Sequence, residues 1–300
     1  MSVETASRSS FFLLRDQVEK EIAKGILSFG EKNRLRDACE YALLSGGKRL
    51  RPIIVMMVAD ALGYDLNVGP AALAVEFMHT ASLIADDLPC MDNDDERREK
   101  ASLHKAYGES TALLSSFSLI FAGYEKIHEN AEEMRKAPPP FSGMADAVCC
   151  QCLKEASKLA GILGATGGQY LDLNPPGQSL EVVKEVLFKK TVTLFQVSFL
   201  FGWLYGGGMM AKLDQVKQAA YHFGMAFQIA DDLGDLAQDE ANQREVNAAR
   251  VLGPQRAYEM FEREMVKYQE LLKELGLGTP SFDKMTHMLA KAASAYASGL

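Results

Sequence analysis

Two runs of aspartate lie about 145 residues apart in this 300-residue chain, each set within a long apolar stretch of helical spacing. The first reads Ala85-Asp86-Asp87-Leu88-Pro89-Cys90-Met91-Asp92 and continues Asn93-Asp94-Asp95-Glu96-Arg97-Arg98. The second reads Phe227-Gln228-Ile229-Ala230-Asp231-Asp232-Leu233-Gly234-Asp235. Carboxylates in apolar surroundings are costly unless something positive meets them. Oxygen-only clusters suit hard cations, and Mg2+ usually takes one or two carboxylates plus substrate phosphates. The pair of clusters therefore suggests a diphosphate held by Mg2+ between them.

Spacing separates the two clusters chemically. Asp231 and Asp235 are four apart and share one helix face, with Asp232 one position around. Asp86 and Asp92 are six apart, so an unbroken helix would point them to different faces. Pro89 argues for a kink or helix end that returns Asp92 beside Asp86. The stretch Asn93 to Glu96 reads more simply as a solvated acidic loop. A third chemical run, Gly46-Gly47-Lys48-Arg49-Leu50-Arg51-Pro52, joins a glycine turn to basic residues and a helix start. Arg grips phosphate oxygens in bidentate fashion and Lys acts as a point charge. Alone, such a run is more often a solvated loop. His79 stands seven residues before Asp86, two helical turns away on one face. A single His on an apolar helix is usually a core residue; that placement favours a ligand role.

The elements that must carry these residues are helical nearly throughout. Phe12, Leu13, Val18 and Ile22 mark one stripe, and Leu35, Ala38, Tyr41, Ala42 and Leu44 a second, stopped by Gly46-Gly47. Pro52 suits the first turn of a helix through Leu62. Val75 to Leu88 reads as a long apolar helix ending at Pro89. Loops are expected at Gly63 to Pro70, Pro138 to Gly143, Asn174 to Gly177, Gly206 to Gly208 and Gly276 to Pro280. No alternating strand run and no internal repeat is found. The expectation is an all-α single-domain bundle spanning residues 1–300, with the site in its core.

A formal charge of −8 argues against nucleic acid as the main partner. The five cysteines, Cys39, Cys90, Cys149, Cys150 and Cys152, are odd in number and read as reduced thiols in a cytoplasmic protein. They lack the paired spacing of a zinc site. The uncharged stretch from Thr191 to Ala211 is cut by Gly206-Gly207-Gly208, and its helical part, Val192 to Tyr205, suits a buried core helix better than a membrane span. The N-terminus carries no apolar signal region.

Taken in order, GGKRLRP, HTASL, DDLPCMD followed by Arg97-Arg98, Gly168-Gln169, Lys190-Thr191 and FQIADDLGD resemble the trans-isoprenyl diphosphate synthases, most closely their geranylgeranyl/farnesyl branch. The resemblance runs from about Tyr41 to Asp235. It implies a helical bundle of the isoprenoid synthase type that condenses isopentenyl diphosphate with an allylic diphosphate. By similarity Lys48, Arg51, His79 and Arg98 would hold isopentenyl diphosphate. Asp86, Asp87 and Asp92 would bind Mg2+ on one side of the allylic diphosphate, Asp231 and Asp235 on the other. Arg97 and Lys190 would contact that diphosphate, and Thr191 and Gln228 would lie near the carbocation. In this family bulky residues before the first cluster act as a floor for the growing chain. Ala81 is small, so the floor is expected one turn deeper, at Met78 or Phe77, giving geranylgeranyl diphosphate. The family is typically homodimeric, with interface candidates at Leu113 to Phe121 and Val197 to Tyr205.

Four departures stand out. Ala85 stands where many relatives carry His, Glu99 where Gly is usual, and Ser116-Phe117 where Gly-Asp is common. Leu236 to Val266 contains no Lys, whereas relatives carry one or two there; Arg244 or Arg250 are the substitutes at hand. Gly234 is expected to loosen the second helix by roughly 1 kcal/mol relative to Ala. An alternative is a non-catalytic regulatory subunit, which loss of either aspartate cluster would favour. A terpene cyclase would have no use for Lys48, Arg51 and His79.

Overall fold

The computed structural model describes residues 3–177, 179–236 and 246–297. These residues group into two compact units. One comprises the residues up to Asp60 with Tyr64–Leu153 and Tyr205–Gly207; the other comprises Ala61–Gly63, Lys154–Leu204 and the described residues from Gly208 onward. The architecture is all-α.

The first unit is built around α4 (Gly69–Asp86), which is buried on nearly every side. A helix apolar all round belongs at the centre of a bundle. It packs along α6 (Glu109–Arg135), with α1 (Val3–Leu27) and α2 (Arg34–Leu43) beside them. The close approach of α4 and α6 depends on Gly123, where a Cβ would stand 3.0 Å from the Met78 Cγ. The buried face of α1 is Leu14, Val18, Ile22 and Ile26. Phe12 and Leu13, expected on that face, are 64% and 63% exposed because the four-residue spacing of the true stripe turns them outward. Leu44 likewise lies beyond the end of α2 and is exposed. α3 (Leu50–Leu62) opens with Pro52 in its first turn, as expected.

A feature absent from the sequence reading is a small antiparallel hairpin, β1 (Glu96–Arg97) with β2 (Lys100–Ala101), followed by α5 (Leu103–Tyr107). Its two turn residues, Arg98 and Glu99, have φ of +56° and +64°. That pattern is the mirror-image turn that matches strand twist and favours glycine.

In the second unit α11 (Leu213–Gly234) packs against α13 (Pro254–Leu275) and α14 (Pro280–Ala297), with the short α12 (Ala248–Leu252) beside α13. Phe195, Phe199, Phe223, Phe227, Tyr268 and Phe282 interlock as its aromatic core. Here, after the last residues of α7 (Ala145–Ala160), α8 (Ala165–Leu173) and α9 (Leu180–Leu187) lead into a π turn, Phe188–Val192, which continues as α10 (Thr193–Tyr205). The chain's single tryptophan, Trp203, is 2% exposed. Its indole N–H donates to the Met209 carbonyl at 3.0 Å, and Gly208 lies so close that a Cβ would stand 2.4 Å from the ring. Among the described residues no helix is long and apolar enough to cross a membrane.

Candidate active-site residues

In the first unit the helix carrying the first cluster stops at Asp86, with Asp87 as its cap, three residues before Pro89. The Asp92 N–H donates to the Asp86 carbonyl at 2.9 Å. The expected return of Asp92 beside Asp86 therefore occurs, through a tight turn closed also by Met91 and Asn93 N–H groups on the Leu88 carbonyl. Asn93 itself takes φ +53° to make that turn. Asp87 is buried and paired with Arg97, whose Nε donates to the two carboxylate oxygens at 2.9 and 3.2 Å. The Arg97 Nη2 also binds Asp87, and reaches Asp94 at 2.9 Å. Burial raises the Asp87 pKa, and the guanidinium partly offsets it. The acidic loop is largely solvated, with Asp95 joined to Lys105 at 2.7 Å.

Two turns back along α4, His79 meets Arg51, whose Nη1 lies 3.2 Å from the imidazole Nε2. Arginine can only donate, so Nε2 is the acceptor and the ring is neutral, with its proton on Nδ1. Desolvation and the charges of Arg51, Arg98, Arg49 and Arg97 together hold the His79 pKa well below 6.5. The Nδ1 is buried and has no hydrogen-bond partner among the described residues. A buried donor in a ring of guanidinium groups suits an anion. Arg98 is anchored by its Nη1 on the Gly46 carbonyl. At Gly47, φ +124°, a Cβ would fall 2.5 Å from the Arg98 guanidinium carbon, so the glycine pair is what lets the basic turn lie against Arg98. Lys48 is exposed.

In the second unit, Lys190 and Thr191 sit in the π turn, a distortion frequent at functional sites. Gly168 explains its packing: a Cβ there would stand 2.2 Å from the Lys190 nitrogen. The Lys190 ammonium pairs with Asp172. Gln169 is 7% exposed, and neither its amide oxygen nor its nitrogen has a hydrogen-bond partner among the described residues. Gln169 enters the sequence pattern only within the Gly168-Gln169 pair and Asp172 not at all; their i, i+3 spacing on α8 is the available signal. On α11, the Gln228 amide donates to Asp232 at 2.9 Å. Asp232 is buried and also accepts from the Ala248 N–H at 2.6 Å, while its carbonyl accepts from Asn247. It therefore fastens α12 to α11. Asp231 is half-buried and Asp235 exposed, and the Asp235 N–H donates to the Asp231 carbonyl at 2.9 Å. Gly234 is the last residue of α11, where its cost is smaller than inside a helix.

A polyprenyl synthetase family model matches residues 32–247, most of the chain. This chain belongs to the polyprenyl synthetase family. It is 32% identical over 236 residues to geranylgeranyl pyrophosphate synthase 7 (chloroplastic) of Arabidopsis thaliana, covering 77% of this chain and 65% of that protein. It is 36% identical over 225 residues to the farnesyl diphosphate synthase of Geobacillus stearothermophilus, covering 74% and 73%. Its fold superposes on a geranyltransferase from Legionella pneumophila with a TM-score of 0.83 at 26% identity, covering 97% of this chain and 99% of that one. The chain spans 65% and 57% of the length of the first two plant relatives.

Phe77, Met78 and Ala81, the residues expected from the resemblance to set product length, all lie on α4. Phe77 is fully buried toward α1, with its ring 5.5 Å from Phe29 and its tip 3.0 Å from a Cβ at Gly25. Met78 faces Gly123 of α6, and the Ala81 carbonyl accepts from Ser116, also on α6, at 2.8 Å. Phe77 thus packs toward α1 and Met78 toward α6, and Ala81, four residues after the one and three after the other, lies between them. Of the departures, Glu99 occupies a left-handed turn position that glycine fits without strain. Ser116 and Phe117 lie on α6, the former buried and the latter 49% exposed. Arg244 lies outside the described residues, and Arg250 is in α12.

Proposed function

We propose that the chain is a prenyltransferase that joins isopentenyl diphosphate head-to-tail, in trans, to an allylic diphosphate, with geranylgeranyl diphosphate as product. Family membership and relatives named as geranylgeranyl and farnesyl diphosphate synthases support this reading. One observation carries it. A neutral His79 among arginines stands two turns of α4, about 10 Å, before Asp86, whose carbonyl accepts the N–H of the returning Asp92. An anion site and a hard-cation site are thereby presented together.

The donor chemistry fits Mg2+. All candidate ligands are carboxylates, the hard oxygen donors that Mg2+ takes in ones and twos together with substrate phosphates. Asp86, Asp87 and Asp92 are the first unit's candidate ligands for Mg2+, and Asp231 and Asp235 are the second unit's. When bound, Mg2+ supplies positive charge to the diphosphate leaving group.

In the reaction the allylic carbon–oxygen bond breaks and its electron pair leaves with diphosphate. Arg97 of the first unit and Lys190 of the second are the candidates to stabilise the charge that develops there, and Thr191 and Gln228 the candidates to face the allylic cation. Lys48, Arg51, His79 and Arg98 hold isopentenyl diphosphate so that its double bond attacks the cation, forming the new carbon–carbon bond. A proton then passes to the departing diphosphate. The chain grows along the α4 face of Ala81 toward Met78.

A homodimer belongs to the same proposal, with the exposed Leu113, Leu114, Phe117 and Phe121 of α6 as its face. So does a cytoplasmic location, in keeping with five unbridged cysteines. The regulatory-subunit alternative is not favoured, since both carboxylate clusters are present. The test is product analysis with purified protein, Mg2+, isopentenyl diphosphate and each allylic primer in turn. A metal-dependent prenyl diphosphate, lost at least a hundredfold in Asp86→Ala, is expected. Folded protein that binds diphosphates yet makes no product with any primer would overturn the reading.

A further inference from the structure

Arg49 stands in the middle of the basic run, between Lys48 and Arg51, yet it is 3% exposed and faces the protein interior. Its Nε donates to Glu19 of α1 at 2.8 Å, its Nη1 to Glu76 of α4 at 2.5 Å and its Nη2 to the Leu43 carbonyl at the end of α2 at 2.5 Å. Its own carbonyl accepts the Ile53 N–H at 3.2 Å and so begins α3. One residue therefore ties four helices of the first unit. Its backbone sits at φ +51°, a left-handed conformation that costs a non-glycine residue roughly 1 kcal/mol or more. Gly46 and Gly47, at φ +84° and +124°, absorb their own positive angles. Arg49 cannot, and the ion pairs on its side chain hold it there.

The second carboxylate of this clamp is placed with equal purpose. Glu76 is 1% exposed and lies one turn before His79 on α4. It is the buried negative charge felt by Arg49, Arg98 and Arg51 alike. A buried ion pair adds little net stability when set against apolar residues of equal volume, so its use must be sought in what it specifies.

We propose that Arg49, clamped by Glu76 and Glu19, is a positioning residue for isopentenyl diphosphate: it fixes the strained turn that presents Lys48 and Arg51 beside His79 and Arg98. This rests on the function proposed above. The clamp acts through its neighbours and touches no substrate. It is built within the unit that carries His79, so its influence falls on the isopentenyl side of the reaction.

The test compares the wild type with Arg49→Met/Glu76→Leu, which removes both charges together and spares the fold an unpaired buried ion. Arg49→Lys serves as the conservative variant. Calorimetric titration of isopentenyl diphosphate without Mg2+ is run beside steady-state kinetics and thermal melts. We expect at least a tenfold loss of isopentenyl diphosphate affinity and a matching rise in its KM, with the KM for geranyl diphosphate within twofold of wild type. Arg49→Lys should recover part of the loss. A double variant that melts like wild type and binds isopentenyl diphosphate equally well overturns the clamp while leaving the synthase reading intact. A loss shared equally between both substrates also overturns it. Tight isopentenyl diphosphate binding by a wild type that never turns over sinks the synthase reading alone.

Discussion

His79 is neutral in the fold because burial and surrounding guanidinium groups depress its pKa below 6.5. An unfolded chain binds that proton more readily, so the contribution to stability is present above about pH 6.5 and is lost as pH falls below it. His79→Gln removes this term. Melting temperatures measured from pH 7.5 to 5 should fall less steeply in the variant than in the wild type; parallel curves would refute the neutral assignment. Glu99 offers a second residue-level test. At φ +64° its side chain works against the turn, so Glu99→Gly should stabilise the protein by about 0.5–1 kcal/mol in urea denaturation. A destabilised variant would show that the Glu99 side chain holds the hairpin by contacts that outweigh its strain.

Among the elements, the contact of α8 with the π turn leaves no room for a side chain at Gly168. Gly168→Ala drives a methyl into the Lys190 backbone and should cost about 1–3 kcal/mol, with a tenfold or greater fall in kcat. Gly278→Ala, where nothing lies within 4 Å, is the control expected to be nearly silent. The two faces of α4 make a paired test. Met78→Ala should lengthen the product by one isoprene unit. Phe77→Ala should leave length unchanged and cost about 3–5 kcal/mol, since its ring fills the α1 contact. The helices and their breaks at Gly46-Gly47, Pro138 to Gly143 and Gly276 to Pro280 were readable from period and punctuation. The Asp86–Asp92 return was readable from Pro89. The hairpin was not, because strands of two residues carry no alternation and Arg98-Glu99 is poor turn chemistry. The inward turn of Arg49 and the Asp232 tether were equally hidden. Each depends on partners far away in sequence, Glu19 and Glu76 for one and Ala248 for the other.

For the molecule as a whole, the proposed dimer face is the outward stripe of Leu113, Leu114, Phe117 and Phe121, with Phe121 71% exposed. Phe117→Asp/Phe121→Asp should convert a sedimenting dimer to monomer; a wild type that already sediments as monomer would sink the assignment. Trp203 gives the same molecule a built-in optical readout. Being the sole indole, sequestered beside Gly208 and bonded to Met209, its emission reports on one compact unit alone. Helical circular dichroism sums over both. Overlaying the two signals during denaturation therefore measures, without any label, whether the units melt as one cooperative body or in succession, and a fluorescence transition displaced from the ellipticity transition would give each unit its own stability.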